Sequence, residues 1–463
     1  MISKKHLAQN ILLGLICAMS GYSSASAMPT GEHGLQNIDS ITRAGSVMDI
    51  VGSGNSVAKW QDFSIGKGET VNFKGMNNVL NIVDGHRFST IRGAMNGQGV
   101  NVYLVNPSGV MFGAESSINV GSLNVSTQEV SKDLENEFLK SGTITPDTSK
   151  LGFGDVTFVG NINADSIKVE GNNISLASTD LLNAKDVSLA TPKGGFINVL
   201  KGQDTSKLDV SGGSVRDDFE AIDSQEKLSN LKSGGHYMLT KDIDIDGKWA
   251  GATTDKTEQF INKDHGQWDS KKNDYVYPTE TRNIAADLIL DGMGHTLSGM
   301  TNSGLFKAGT RGVDVELSNL ILDGDSFKAE ESLKASGKSA ILLDDVTGLK
   351  ADNIISNYKI STNKNSALFG DVTDGILNNI VNNTTYSTAM QNGGNTGNIL
   401  HYAYNTDFSN IENNGDGFSG AAYYIWGGDL FASGEIRQIA SVEKRQFGSA
   451  EIRQFESIEK SQS

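Results

Sequence analysis

A chain of 463 residues with a formal charge of −16 is long enough for a large core. It is too acidic for a nucleic-acid binder, which needs clustered Lys and Arg against phosphate. Its 53 Gly against 5 Pro, frequent Asn and few aromatics suit many short strands joined by tight turns. The sole cysteine is Cys17, so beyond it no disulfide scaffold, cysteine nucleophile or thiolate metal site is available.

Residues 1–27 read as a secretory leader. Lys4 and Lys5 supply the positive start, Ile11 to Met19 the apolar stretch, and Ala25-Ser26-Ala27 the small-residue cleavage site. The apolar stretch falls short of the roughly 20 residues a membrane-spanning helix needs. No second one follows, so no transmembrane segment is expected in the mature chain from Met28.

Residues 28–150 form the next unit. Runs such as Ser46 to Val51, Thr70 to Phe73 and Val79 to Val83 alternate with period two between turn residues, which predicts strands. Within this unit Asp133 to Lys140 reads as a short surface helix or an excursion. Residues 151–216 turn more regular: Val156 to Val159, Ile162 to Ala164, Ser166 to Val169, Ile174 to Leu176 and Val187 to Leu189 follow in close order. Strands this short cannot each bury a face alone, whereas stacked coils of a solenoid cover one another.

Residues 217–430 read as a degenerate continuation with long insertions. Asp217 to Leu231 is mildly helical and marks the junction, and Trp249 to Arg282 is a polar excursion with little apolar periodicity. Ser-Gly-Leu-Phe at 303–306 recurs as Ser-Ala-Ile-Leu at 339–342 and Ser-Ala-Leu-Phe at 366–369. Asn-aliphatic pairs follow at Asn319-Leu320, Asn353-Ile354 and Asn379-Ile380, and Asn410-Ile411 extends the series. Unequal spacing with a shared signature predicts coils with variable loops, and a recurring Asn could bond its equivalent on the next coil. In residues 431–463, Glu435 to Gln446 recurs sixteen residues later as Glu451 to Gln462, either a cap, a tail or a partner-binding element.

The stretch that decides the functional reading is Val100 to Thr127, where two strand-like runs flank Asn106-Pro107-Ser108-Gly109. Asn at the first position bonds its own backbone two residues on, Pro presets the second, and Gly suits the fourth, which makes a type I turn. Around it stand Trp60 with Phe63-Ser64-Ile65-Gly66, Val71-Asn72-Phe73, Asn81-Ile82-Val83, Ser89-Thr90-Ile91-Arg92-Gly93, and Ile118-Asn119-Val120-Gly121-Ser122-Leu123. In order and spacing this region resembles the filamentous-haemagglutinin N-terminal secretion domain of two-partner secretion exoproteins, a family of Gram-negative adhesins and haemolysins. Two positions depart from the family's usual Asn-Arg-Val and Asn-Pro-Asn-Gly, at Ile82 and Ser108.

The resemblance implies an all-β fold, a right-handed parallel β-helix with an N-terminal capping secretion domain and loop excursions. It also implies a partner, a TpsB-type outer-membrane β-barrel transporter with periplasmic POTRA domains. Asn81, Asn106, Pro107, Ser108 and Gly109 would form the signal that transporter recognises. The chain would cross the periplasm extended and fold outside, secreted or held at the surface, as an adhesin for a host-cell or glycan ligand. A chain without disulfides suits that route, and a solenoid can fold coil by coil as it emerges.

Other candidates compete with this reading. Asp242, Asp244 and Asp246 with Gly247 imitate the start of a calcium loop, but the twelfth position is Thr253, not Glu, and Ile243 and Ile245 alternate as in a strand. Asp291, Asp323, Asp325, Asp344 and Asp345 could serve a carbohydrate-active β-helix enzyme, which needs two carboxyls about 5–9 Å apart. The His residues show no ligand spacing. Tyr402, Tyr404, Tyr423, Tyr424 and Trp426 could form a binding surface or pack the last coils. No cofactor or enzymatic activity is expected. The alternatives are the carbohydrate-active β-helix enzyme and a truncated exoprotein retaining only transporter recognition.

Overall fold

The computed structural model describes residues 28–431, apart from 146, 153, 247, 262–265, 302, 328–337, 361–364, 387–398, 415–421 and 427–429. The leader with Cys17 and the repeat at 435–462 lie outside the described residues.

The strands stack as a parallel β-helix. Val47–Trp60, Thr70–Val83, Ala94–Val105 and Ser117–Ser126 lie side by side in register, so Met48, Val71, Met95 and Ile118 form one inward column. All four are fully buried. Ile162 continues that column. The first strand, His33–Ala44, pairs antiparallel with Val47–Trp60 and so covers the open end of the stack. Leaving an edge unpaired there would offer a template for aggregation.

Outward columns use Asn. Asn72 donates to Asp49 at 2.8 Å, Asn96 to Asn72 at 3.1 Å, Asn163 to Asn119 at 3.2 Å and Asn183 to Asn163 at 2.8 Å. An amide carries donor and acceptor together, so it can bond the coil above and the coil below at strand spacing. The Asn-aliphatic series of the second section does the same from a strained backbone. Asn319, Asn353, Asn379 and Asn410 hold φ between +50° and +52°, a left-handed conformation that Asn tolerates better than other L-residues. Asn353 donates to Asn319 at 3.1 Å and Asn319 to the buried Asp291 at 2.9 Å, while Asn410 donates to Asn379 at 3.1 Å and Asn379 to Asp352 at 3.0 Å. Asn353→Gly keeps the turn and deletes the amide rung; a loss of about 1 kcal/mol in urea unfolding is expected.

The predicted helix is present as Lys132–Ser141. Ser131 caps it by accepting from the Leu134 N–H, and Gly142 ends it at φ +75°. Its Phe138 is fully buried over Val57, Leu80, Ile82 and Val105. Ile82, the position that departs from the family pattern, is therefore an apolar seat for this helix.

The sheet changes direction at Ser214–Ile222. Its Ser214 to Arg216 pair with Phe196 to Asn198, and its Glu220 to Ile222 pair with Tyr237 to Leu239. The junction read as mildly helical is thus a strand, with only Gln225–Leu228 helical. From Val110–Phe112 to Ile376–Asn382 the sheet path takes many strand steps, which in a straight solenoid of about 4.8 Å per step would span roughly 40 Å. Instead Asn379 donates to the Ser108 carbonyl at 2.9 Å and Arg87 pairs with Glu412. The second section runs back alongside the first. Each keeps its own apolar core, Met28 to Val199 and Ile222 to Phe408, and Phe219, Met238, Ile289 and Met293 join them against Val159, Ala177 and Leu200.

The polar excursion is more ordered than its sequence pattern predicts. Trp249 is buried, donating to the Gly304 carbonyl at 2.7 Å, and Lys256–Ile261 pairs antiparallel with Thr279–Ala286. Among the described residues no helix is long and apolar enough to cross a membrane.

Candidate functional site

The four residues Asn106 to Gly109 form one turn closed from within. Asn106 Oδ1 accepts from the Ser108 N–H at 2.9 Å, and its Nδ2 donates to the Arg87 carbonyl at 2.9 Å and Ser89 Oγ at 3.0 Å. The Gly109 N–H returns to the Asn106 carbonyl at 3.0 Å. Gly109 stands at φ +111°, and a Cβ there would meet the Asp155 carbonyl at 2.8 Å, so both conformation and space demand glycine. The Pro107 carbonyl accepts from the Gly154 N–H at 3.0 Å, and Ser108 Oγ donates to the His86 carbonyl at 3.1 Å.

Asn81 belongs to a neighbouring contact. Its Oδ1 accepts from Trp60 Nε1 at 3.1 Å and its Nδ2 donates to the Tyr103 carbonyl at 3.2 Å. Asn81 and Asn106 are both fully inaccessible and Ser108 nearly so. The sequence residues of the expected signal therefore organise the folded interior. Trp60, Arg87 and Ser89 are their side-chain and backbone partners, and of these Trp60 and Ser89 could be picked out beforehand, as part of the resemblance, whereas Arg87 could not.

The second section closes over the turn. Besides the bond from Asn379, Asn410 Nδ2 lies 3.5 Å from Ser108 Oγ. Beneath this contact sits a group of acids from both sections. Burial lifts the Asp155 carboxyl to about 7, against hydrogen bonds from Asn173 that favour its charge, and Glu316 and Asp291 add repulsion. Burial also raises Asp352, with Asp155 repelling it, and raises Asp291 despite bonds from Ser175 and Asn319.

The calcium-loop candidates do not converge. Asp242 Oδ1 accepts from the Thr296 N–H at 2.9 Å, Asp244 Oδ1 from Ser298 Oγ at 3.0 Å, and Asp246 Oδ1 from Gln225 Nε2 at 3.1 Å. Ile243 and Ile245 are buried between them, as a strand face requires. Among the described residues no three His, Cys, Asp or Glu are placed to hold a metal ion. The candidate glycosidic acids sit in different surroundings. Asp291 is buried in the ladder, Asp344 accepts from the Ala340 and Gly309 N–H groups, and Asp345 Oδ2 lies 3.3 Å from Arg282. Asp323 is exposed, and the Asp325 side chain is outside the described ones. Tyr402 and Tyr404 stand with ring centroids 6.2 Å apart on a strand paired to Ala422–Trp426, whose side chains lie outside the description.

Comparison with known proteins gives this arrangement a context. The family model of the TPS secretion domain matches residues 25–276, more than half of the chain. A curated relative is the heme/hemopexin-binding protein of Haemophilus influenzae, 32% identical over 145 residues, which cover 30% of this chain and 16% of that protein. The match thus spans under a fifth of the relative's length. Among solved structures, the HMW1 secretion domain from Haemophilus influenzae aligns over 85% of this chain and 99% of that one, at 14% identity and a TM-score of 0.28.

Proposed function

We propose, from the premise that the chain belongs to the TPS secretion domain family, that it is exported by a dedicated outer-membrane transporter and works outside the cell as a surface-binding protein. Membership of that family makes the chain a two-partner secreted exoprotein.

The observation that carries it is the burial of Asn81, Asn106 and Ser108. Side chains with no exposed surface cannot be read by a partner on the folded protein. They can be read on an extended chain, before the strands Ser89–Ile91 and Val110–Phe112 pair. Recognition in the periplasm and folding outside would then use the same residues in sequence: first as an exposed signal, then as the internal bonds of the turn. The formation of those bonds would make release from the transporter favourable. The adhesive role draws on the long lateral surface of the solenoid, where loops vary and side chains face water.

The test is expression with and without a co-expressed cognate transporter, measuring the protein in the medium. Appearance only with the transporter is the expected result. Equal release without it would sink the reading.

A further inference from the structure

Within the arm formed by Lys256–Ile261 and Thr279–Ala286, the chain makes a second hairpin, Gln267–Asp269 with Asp274–Val276. Trp268 and Tyr275 are direct cross-strand partners, and their rings meet edge to face at 5.3 Å. Tyr277, two residues along, stacks on Tyr275 at 6.3 Å with the planes 24° apart. Gly266 clears the place for that ring, since a Cβ there would stand 2.5 Å from Tyr277 Cε1. The three rings form one ordered face.

That face is in water. Trp268 is 54% exposed, Tyr275 52% and Tyr277 41%, whereas Trp60 and Trp249 are buried in the cores. Aromatic side chains are drawn strongly inward, and a fixed group of them left outside marks a binding surface more than a packing remnant.

Area and charge decide the occupant. Each such side chain can bury about 150–250 Å², so the exposed halves of three offer about 300 Å². A stable protein partner or second copy needs about 800 Å² per side. The hairpin tip mixes Asp269 and Asp274 with Lys271 and Lys272, and the chain as a whole carries a formal charge of −16. A polyanion finds no basic cluster there. A sugar ring fits both limits: its C–H face lies flat on an aromatic ring, its area is small, and its hydroxyls can meet the tyrosine hydroxyls.

The geometry points to a neutral saccharide chain as the ligand of this face, held against Trp268, Tyr275 and Tyr277. This rests on the surface-binding reading above and names its ligand class.

The test titrates the full exported chain with cellohexaose and with N-acetylchitohexaose, and with heparin as the polyanion, following tryptophan fluorescence and heat of binding. Saturable binding of a neutral hexasaccharide is expected, weakened about tenfold or more in Trp268→Ala/Tyr275→Ala with unchanged far-UV circular dichroism. Undiminished binding in that variant, no binding of either neutral chain, or binding of heparin alone overturns the inference. So does concentration-dependent dimerisation that Trp268→Ala abolishes, which would assign the face to a second copy. Export into the medium is measured for both proteins. If saccharide binding fails while transporter-dependent export persists, the ligand assignment falls and the export reading stands.

Discussion

Asn106→Ala is expected to abolish transporter-dependent release and to cost the folded protein about 4 kcal/mol. The stability effect follows from three bonds made by one fully buried amide, to Ser108, Arg87 and Ser89. A buried donor or acceptor stripped of its partner costs roughly 1–3 kcal/mol, and the buried Ser108 N–H and the part-buried Arg87 carbonyl both lose theirs. Ser89 can rotate its hydroxyl elsewhere, which keeps the sum near the lower end. Urea unfolding of refolded protein measures this part.

Loss of release has to be separated from loss of stability. Asn353→Gly supplies the control, because it weakens a ladder in the second section and leaves the signal region untouched. Normal export of that variant beside failed export of Asn106→Ala would place the signal in the first section. Normal export of Asn106→Ala combined with Asn81→Ala would falsify the assignment of these residues to transporter recognition.

The second large effect is in pH. The fold holds Asp155 at about 7, above the roughly 3.9 of an unfolded aspartate, so the folded state binds the proton more tightly. The sign follows directly. This contribution is fully present below about pH 4 and is lost as pH rises through about 7. Asp155→Asn keeps the acceptor oxygen for Asn173 and removes the charge facing Asp291, Glu316 and Asp352. The variant is expected to gain roughly 2 kcal/mol at pH 8 and almost nothing at pH 4, after allowing for the partial solvent contact of this side chain.

Other groups bend the raw curve, so the difference between variant and parent is the measurement. Glu115 is held down to about 2 by Arg92 and Lys67 despite burial, and its contribution is lost only as pH falls below the usual carboxylate range. His33 is raised by the Gly31 carbonyl and by Asp84, and its contribution fades as pH rises through the histidine range. Both are common to the two proteins and cancel. A stability difference independent of pH between 4 and 8 would contradict the repulsion between Asp155 and its acidic neighbours.

Period-two runs separated by Gly and Asn were enough to read the strands and their stacking, because a strand of a β-helix carries its inward column in its own sequence. The helix was legible from its local pattern over Asp133 to Lys140, while its caps at Ser131 and Gly142 were established by the structure. The recurring Asn of the second section pointed to inter-coil amide bonds for a local reason too: few side chains other than Asn combine a left-handed backbone with a planar donor and acceptor. What the chain could not declare was which way the solenoid runs after Ser214–Ile222. That turn depends on Phe219, Met238, Ile289 and Met293 finding Val159, Ala177 and Leu200 across long separations, and no periodicity records such a meeting. The same holds for Asn106 to Gly109. Sequence alone determined that these residues make a tight turn; only the tertiary structure decided that the turn faces inward, with Asn379 and Asn410 closed over it, because burial is a property of what packs against a residue and not of the residue itself.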